Sequence, residues 1–234
     1  MFLLGGPAFS GKTLLAHLLN QGRVVCLDEP DVHDPRQRHR GIPVLRALFP
    51  DRTFPDPPPE PLDHDEAVEL LRACEAAIAP RRLGMKTAGW TFVAYAEAYR
   101  TAGFPVIAMV RDIRDVLTEA PLPPWVGGEP GLNAVYRLIK EHEDLVDLWL
   151  RYEDLVTDTA GVLARISALL GEELHAVPGW SADEVHGTMF KLDRHELLRL
   201  GRVTAERVGI WRAAGTTFTD ETWATAEMMG YGTD

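Results

Sequence analysis

Gly6-Pro7-Ala8-Phe9-Ser10-Gly11-Lys12-Thr13 is an unbroken G-x-x-x-x-G-K-[ST] segment. It follows the short apolar run Phe2-Leu3-Leu4 and leads into Thr13-Leu14-Leu15-Ala16-His17-Leu18-Leu19, whose apolar residues recur with helical spacing. Strand, glycine-rich turn and helix form the context in which such a segment captures anions. The glycines let backbone N–H groups converge on phosphate oxygens, the helix N-terminus adds a partial positive charge, and Lys12 adds a full one. Thr13 has the hydroxyl either to ligate Mg²⁺, if the ligand is a nucleoside triphosphate, or to hydrogen-bond a phosphate directly.

Outward from this segment the chain keeps alternating. A second strand is expected over Arg23-Val24-Val25-Cys26-Leu27, which makes a βαβ unit with parallel, buried strands and sets Asp28 and Glu29 at the second strand's carboxyl end. Residues 30–64 are rich in proline and read as a long irregular excursion. A helix is expected from Asp65 to Ala79, a weak strand at Leu83-Gly84-Met85-Lys86, a helix from Phe92 to Tyr99 and a strong strand over Pro105–Val110. Arg111–Leu117 begins another helix, a Pro/Gly loop covers Pro121–Gly131, Leu145–Leu150 reads as a strand and Thr159–Leu170 as a helix. Helices and loops complete the chain. The alternation predicts an α/β three-layer sandwich around a parallel sheet, P-loop nucleoside triphosphate hydrolase-like, with residues 1–234 as one domain and the segments 30–64 and 120–132 over the site.

Composition narrows the ligand classes. The 234 residues carry 24 Lys+Arg against 35 Asp+Glu, a formal charge of −11, which argues against a nucleic-acid partner because phosphates would need a basic face. An anionic ligand must then be gripped by local groups. No apolar stretch approaches the ~18 residues of a membrane span. The opening residues show no basic leader or cleavage site, so a cytoplasmic protein is expected. Cys26 and Cys74 read as buried thiols of a reducing compartment, and no metal-ligand spacing is present.

Only four lysines occur: Lys12, Lys86, Lys140 and Lys191. Lys86 stands at the carboxyl end of a strand, where open α/β sheets bind ligands. Arg111 follows the most hydrophobic strand and offers a bidentate fork to the same crevice. Arg114 and Asp115 read as capping and surface charges. His33, His39 and His64 read as loop histidines, and Trp90, Trp125, Trp180 and Trp211 as core aromatics.

Taken in order, the Gly6–Thr13 loop, Lys86-Thr87, Arg111-Asp112-Ile113-Arg114-Asp115-Val116-Leu117, Arg151-Tyr152-Glu153-Asp154-Leu155 and the tail Val208-Gly209-Ile210-Trp211 resemble the sulfotransferase family over nearly the whole chain. The resemblance implies that Gly6, Ser10, Gly11, Lys12, Thr13 and Leu14 surround the 5′-phosphosulfate end of phosphoadenosine phosphosulfate. It also implies that Arg111 and its neighbours hold the 3′-phosphate, and that Lys86 lies near the sulfuryl group. Four departures stand out. Phe9 replaces a basic residue, Lys12 replaces a Thr or Ser, and Ala88 replaces a catalytic histidine. Thr118-Glu119 stands where the family has a serine that binds the 3′-phosphate. A carboxylate ~4 Å from a phosphate costs on the order of several kcal/mol at an effective dielectric of ~20. Either Thr118 substitutes and Glu119 turns away, or the donor lacks a 3′-phosphate.

With no histidine at position 88, the base must come from elsewhere. Part of the family carries a catalytic glutamate at the second-strand end, which makes Glu29, with Asp28 beside it, the candidate. The expected activity is sulfuryl transfer to a hydroxyl or amine of a small molecule, with Lys12 and Lys86 as the catalytic cations. The alternative is an ATP- or GTP-dependent small-molecule kinase using Mg²⁺ on the same scaffold. A third reading is a nucleotide- or partner-binding module without catalysis. The long excursion leaves room for a second copy of the chain, a homodimer.

Overall fold

The structure is a computed structural model that describes residues 1–30, 32, 41–119, 121–177, 179 and 201–232. His33, His39, Trp180 and Lys191 lie outside the described residues.

Five strands form one parallel sheet: β1 (Phe2–Gly5), β2 (Val24–Asp28), β3 (Arg82–Lys86), β4 (Val106–Val110) and β5 (Leu148–Arg151). Their spatial order is β2-β3-β1-β4-β5. The central strands are apolar without alternation because both faces are covered, and every residue of β1 and β4 is buried. Helix α1 (Lys12–Leu19) packs on β1, β2 and β3, while α3 (His64–Ala77), α4 (Trp90–Thr101) and α6 (Gly128–Glu141) pack side by side, α3 on α4 and α4 on α6. In chain order α2 is Ile42–Leu48, α5 Ile113–Glu119, α7 Tyr152–Thr157, α8 Thr159–Leu170, α9 Ile210–Ala214 and α10 Asp220–Met228. This is the expected α/β architecture. No helix among the described residues is long and apolar enough to cross a membrane.

Local chemistry explains several boundaries. A capping box starts α3: Glu66 N donates to Asp63 Oδ1 at 2.8 Å and Asp63 N to Glu66 Oε2 at 3.0 Å. Asp158 caps α8, accepting from Gly161 N at 2.9 Å.

Two expectations change. The excursion over 30–64 contains the helix α2, with a proline in its first turn, where the missing N–H costs nothing. The Pro/Gly loop expected over Pro121–Gly131 is shorter: a 3₁₀ turn covers Pro124–Val126 and α6 begins at Gly128. Pro130 lies in that helix's first turn, whose amides have no intrahelical acceptor. The buried stripe Leu132, Val135, Tyr136 and Ile139 then carries α6 against the domain.

The main core surrounds the sheet. A second cluster, including Val110, Ile113, Val116, Leu132, Tyr136 and Met229, lies beyond the carboxyl end of β4. It fixes the direction in which α5 leaves the sheet, and with it the residues that follow β4.

Candidate active site

The register aligns the strand tips. Leu4 pairs with Lys86 and Lys86 with Asp28, so the loop after β1, the end of β3 and the end of β2 share one edge. Backbone bonds tie them: Thr87 N donates to Leu4 O at 2.9 Å, Gly89 N to Gly6 O at 3.1 Å and Glu29 N to Lys86 O at 2.9 Å. β1 lies between β3 and β4, at the switch point where such sheets open a crevice.

The loop after β1 requires its glycines. Gly6 takes φ +142° and a Cβ there would stand 2.1 Å from Met109 O; Gly11 takes φ +86° before the first turn of α1. Phe9 (φ 60°) and Glu29 (φ 49°) are also left-handed, a conformation uncommon outside glycine that concentrates at functional sites. Phe9 is exposed and its ring stacks on exposed Trp125, with centroids 6.3 Å apart. Trp90 and Trp125, read as core aromatics in the sequence, are in fact exposed.

Two lysines meet at this edge. Lys12 Nζ is buried, donates to Pro7 O and stands 3.1 Å from Ser10 Oγ, folding back on its own loop. Burial, with Lys86 adding repulsion, pulls Lys12 down to about 7. Lys86 is equally buried, yet its Nζ lies 2.5 Å from Asp28 Oδ1, 2.9 Å from Glu29 Oε1 and 3.2 Å from Thr13 Oγ1. Burial alone would lower Lys86; the two carboxylates outweigh it and hold the ammonium above its ordinary value. The structure therefore brings Lys12, Thr13, Lys86, Asp28 and Glu29 together. Ser10 is buried and donates to Pro7 O at 3.0 Å, bracing the loop. Leu14 points into the core.

Arg111 leaves the tip of β4. Its guanidinium lies 4.5 Å from the Tyr152 ring centroid, its Nη2 donates to Arg207 O at 2.7 Å, and Tyr136 Oη donates to Arg111 O at 2.7 Å. Glu119 does not turn away: its carboxylate binds both Arg111 Nη1 and Arg207 Nη1. Thr118 Oγ1 is taken up by Arg114 O at 2.8 Å. Sequence reasoning missed Arg207, whose signal is its place directly before the Val208–Trp211 tail segment. Burial, with Arg111 close by, lowers the Arg207 guanidinium's proton affinity.

Arg114 and Asp115 are not surface charges. Arg114 Nε and Nη2 pair with Asp112, its Nη2 donates to Gly232 O, and its guanidinium lies 4.1 Å from the Trp211 ring centroid and 4.8 Å from that of Trp223. Asp115 accepts from Gly209 N at 2.7 Å and Trp211 N at 3.2 Å, fixing the start of α9. Both residues hold the tail against the site. His64 opens α3 rather than lying in a loop and packs edge-on against Tyr95. Both thiols are free and buried, and burial raises each, Cys74 to about 12. Among the described residues no cluster of three metal-ligating side chains occurs.

No protein-family model matches the sequence, and no curated protein matches it. Solved structures do. A sulfotransferase domain from the curacin biosynthetic pathway superposes with a TM-score of 0.68 at 14% identity, covering 99% of this chain and 98% of that one. A sulfotransferase domain from the Synechococcus PCC 7002 olefin synthase superposes with a TM-score of 0.65 at 20% identity, covering 100% of this chain and 94% of that one. The chain has the sulfotransferase fold. Within the sulfotransferase fold described here, the Lys12, Lys86 and Arg111 clusters all line the strand tips at one edge of the sheet.

Proposed function

We propose that the protein is a sulfotransferase that moves a sulfuryl group from phosphoadenosine phosphosulfate to a hydroxyl or amine of a small molecule. The observation that carries this reading is Lys86, an ammonium fixed among Thr13, Asp28 and Glu29 at the mouth of the phosphate loop. The side chains suit a ligand that is anionic at both ends. Loop amides and Lys12 stand at one end; at the other are Arg111, whose buried Nε finds no acceptor among the described residues, and Arg207. When bound, the donor supplies an activated sulfuryl group on a phosphate leaving group.

The chain's own residues do the rest. Loop amides and Lys12 bind the 5′-phosphate, and Lys86 neutralises charge that builds on the departing bridging oxygen. Asp28 is the less exposed of the two carboxylates and anchors Lys86. Glu29, more open to solvent, takes the acceptor's proton as the new S–O or S–N bond forms and the bond from sulfur to the leaving oxygen breaks. Catalysis rests on alignment more than on covalent participation by the protein.

A second reading, an ATP- or GTP-dependent small-molecule kinase, is favoured by the contact of Glu119 with Arg111 and by the intact Lys12-Thr13 pair. Lys86 weighs against it. Mg²⁺ about 2.1 Å from the Thr13 hydroxyl would face an ammonium 3.2 Å from the same oxygen. Thermal shift separates the two. At a hundredfold excess over Kd, adenosine 3′,5′-bisphosphate should add about 2.7 kcal/mol, or roughly 5–10 °C for a chain of this size. Stabilisation by ATP or GTP with Mg²⁺ alone would reverse the assignment.

A further inference from the structure

Arg111 and Arg207 reach one place from distant parts of the chain. The Glu119 carboxylate bridges them, Oε2 on Arg111 and Oε1 on Arg207. Two guanidinium groups thus meet on one carboxylate. Among the described residues, Asp112 is engaged with Arg114, Asp115 with the Gly209 and Trp211 amides, and Glu153 with Asp112 N and Tyr231 Oη. Arg111 is 3% exposed, and its Nε–H has no acceptor among the described residues. Glu119 is itself 24% exposed, so its carboxylate can leave for water without crossing the core.

We propose that Glu119 is an internal anion that keeps the Arg111–Arg207 pair in place and is exchanged for the phosphate at the ribose end of the donor, so that it sets how much the site gains from a 3′-phosphate over a 3′-hydroxyl. The proposal rests on the donor reading given above. A 3′-phosphate brings about two negative charges to a position that one carboxylate already fills, and the two repel at contact distance. A nucleotide with a free 3′-hydroxyl leaves Glu119 where it is and gains a hydrogen-bond acceptor. The arrangement inverts a rule of dinucleotide sites, in which a carboxylate accepts from ribose hydroxyls and an arginine accommodates a ribose phosphate. Here both residue types serve one position and compete for it. The burden falls equally on the incoming donor and on the spent bisphosphate, which lowers affinity for both.

Titration calorimetry of the full chain with adenosine 3′,5′-bisphosphate and with AMP tests the proposal. Glu119→Gln keeps the shape and removes the charge. It should tighten bisphosphate binding at least tenfold while AMP binding changes less than threefold, widening the ratio of the two Kd values. Glu119→Asp keeps the charge but draws it back by one methylene, away from at least one guanidinium. It should move the ratio the same way by a smaller factor, and it supplies the readout if Glu119→Gln does not fold. A bisphosphate Kd that is unchanged or weaker in the variants, with AMP binding intact, overturns the proposal. If neither nucleotide binds the unaltered protein, the donor reading itself fails, and this proposal fails with it.

Discussion

Replacing Lys12 with methionine should stabilise the folded chain while abolishing nucleotide binding. Lys12 is buried, and its proton affinity falls from 10.5 to about 7 on folding. The folded state therefore binds fewer protons than the unfolded state between about pH 7 and pH 10.4, and the wild-type protein gains stability as pH rises through that window. Below pH 7 the deficit is on the order of 4–5 kcal/mol. Methionine escapes it but forfeits the hydrogen bonds to Pro7 O and Ser10 Oγ, about 1 kcal/mol each. The net is about 2 kcal/mol in favour of Lys12→Met at pH 6.5. At pH 9.5 the titration deficit has shrunk by roughly 3 kcal/mol, and the advantage disappears or reverses. Urea unfolding at 25 °C at the two pH values measures this directly, because groups common to both proteins cancel. The same linkage requires that a bound phosphate, by holding Lys12 charged, makes nucleotide binding at pH 8 take up about one proton. Calorimetry in two buffers of different ionisation enthalpy reads that uptake. If Lys12→Met were less stable than wild type at pH 6.5 by an amount that does not change at pH 9.5, Lys12 would be an ordinary stabilising lysine and the reasoning would be wrong.

Two other perturbations have defined outcomes. Lys86→Met should lower turnover in a sulfuryl-transfer assay by about 10²–10³, as loss of one charge-stabilising donor does, while Lys86→Arg retains part of the rate. Turnover of Lys86→Met within threefold of wild type would remove Lys86 from the mechanism. Gly6→Ala places a Cβ 2.1 Å from Met109 O at a φ of +142°. It should cost about 1–3 kcal/mol in denaturant unfolding and eliminate the bisphosphate-induced thermal shift.

What the sequence disclosed followed from how local each signal was. The β1–loop–α1 unit was readable because an apolar run, fixed glycines and helical spacing agree within twenty residues. β4 was readable because a strand buried on both faces is apolar throughout. α6 was obscured by Gly127, Gly128, Pro130 and Gly131, which signal a loop although proline in a first helical turn costs little. Lys86 could be placed at the sheet edge from strand polarity alone, but its approach to Thr13 depends on the β1–β3 register. The burial of Arg114 was hidden because its partners Trp211 and Trp223 arrive from about a hundred residues away. Arg207 was hidden for the same reason. No window of sequence around Glu119 reveals that the carboxylate answers to two arginines instead of one.

The clasp that Asp115, Arg114 and Glu153 make on the segment from Gly209 to Gly232 has a practical corollary for grafting this crevice onto a related scaffold. The wall around Arg111 is a composite, with one leg just after β4 and the other just before the carboxyl-terminal helices. A chimera that took only the first 160 residues would inherit Arg111 and Glu119 but leave the second arginine behind, turning a shared counter-ion into a private one.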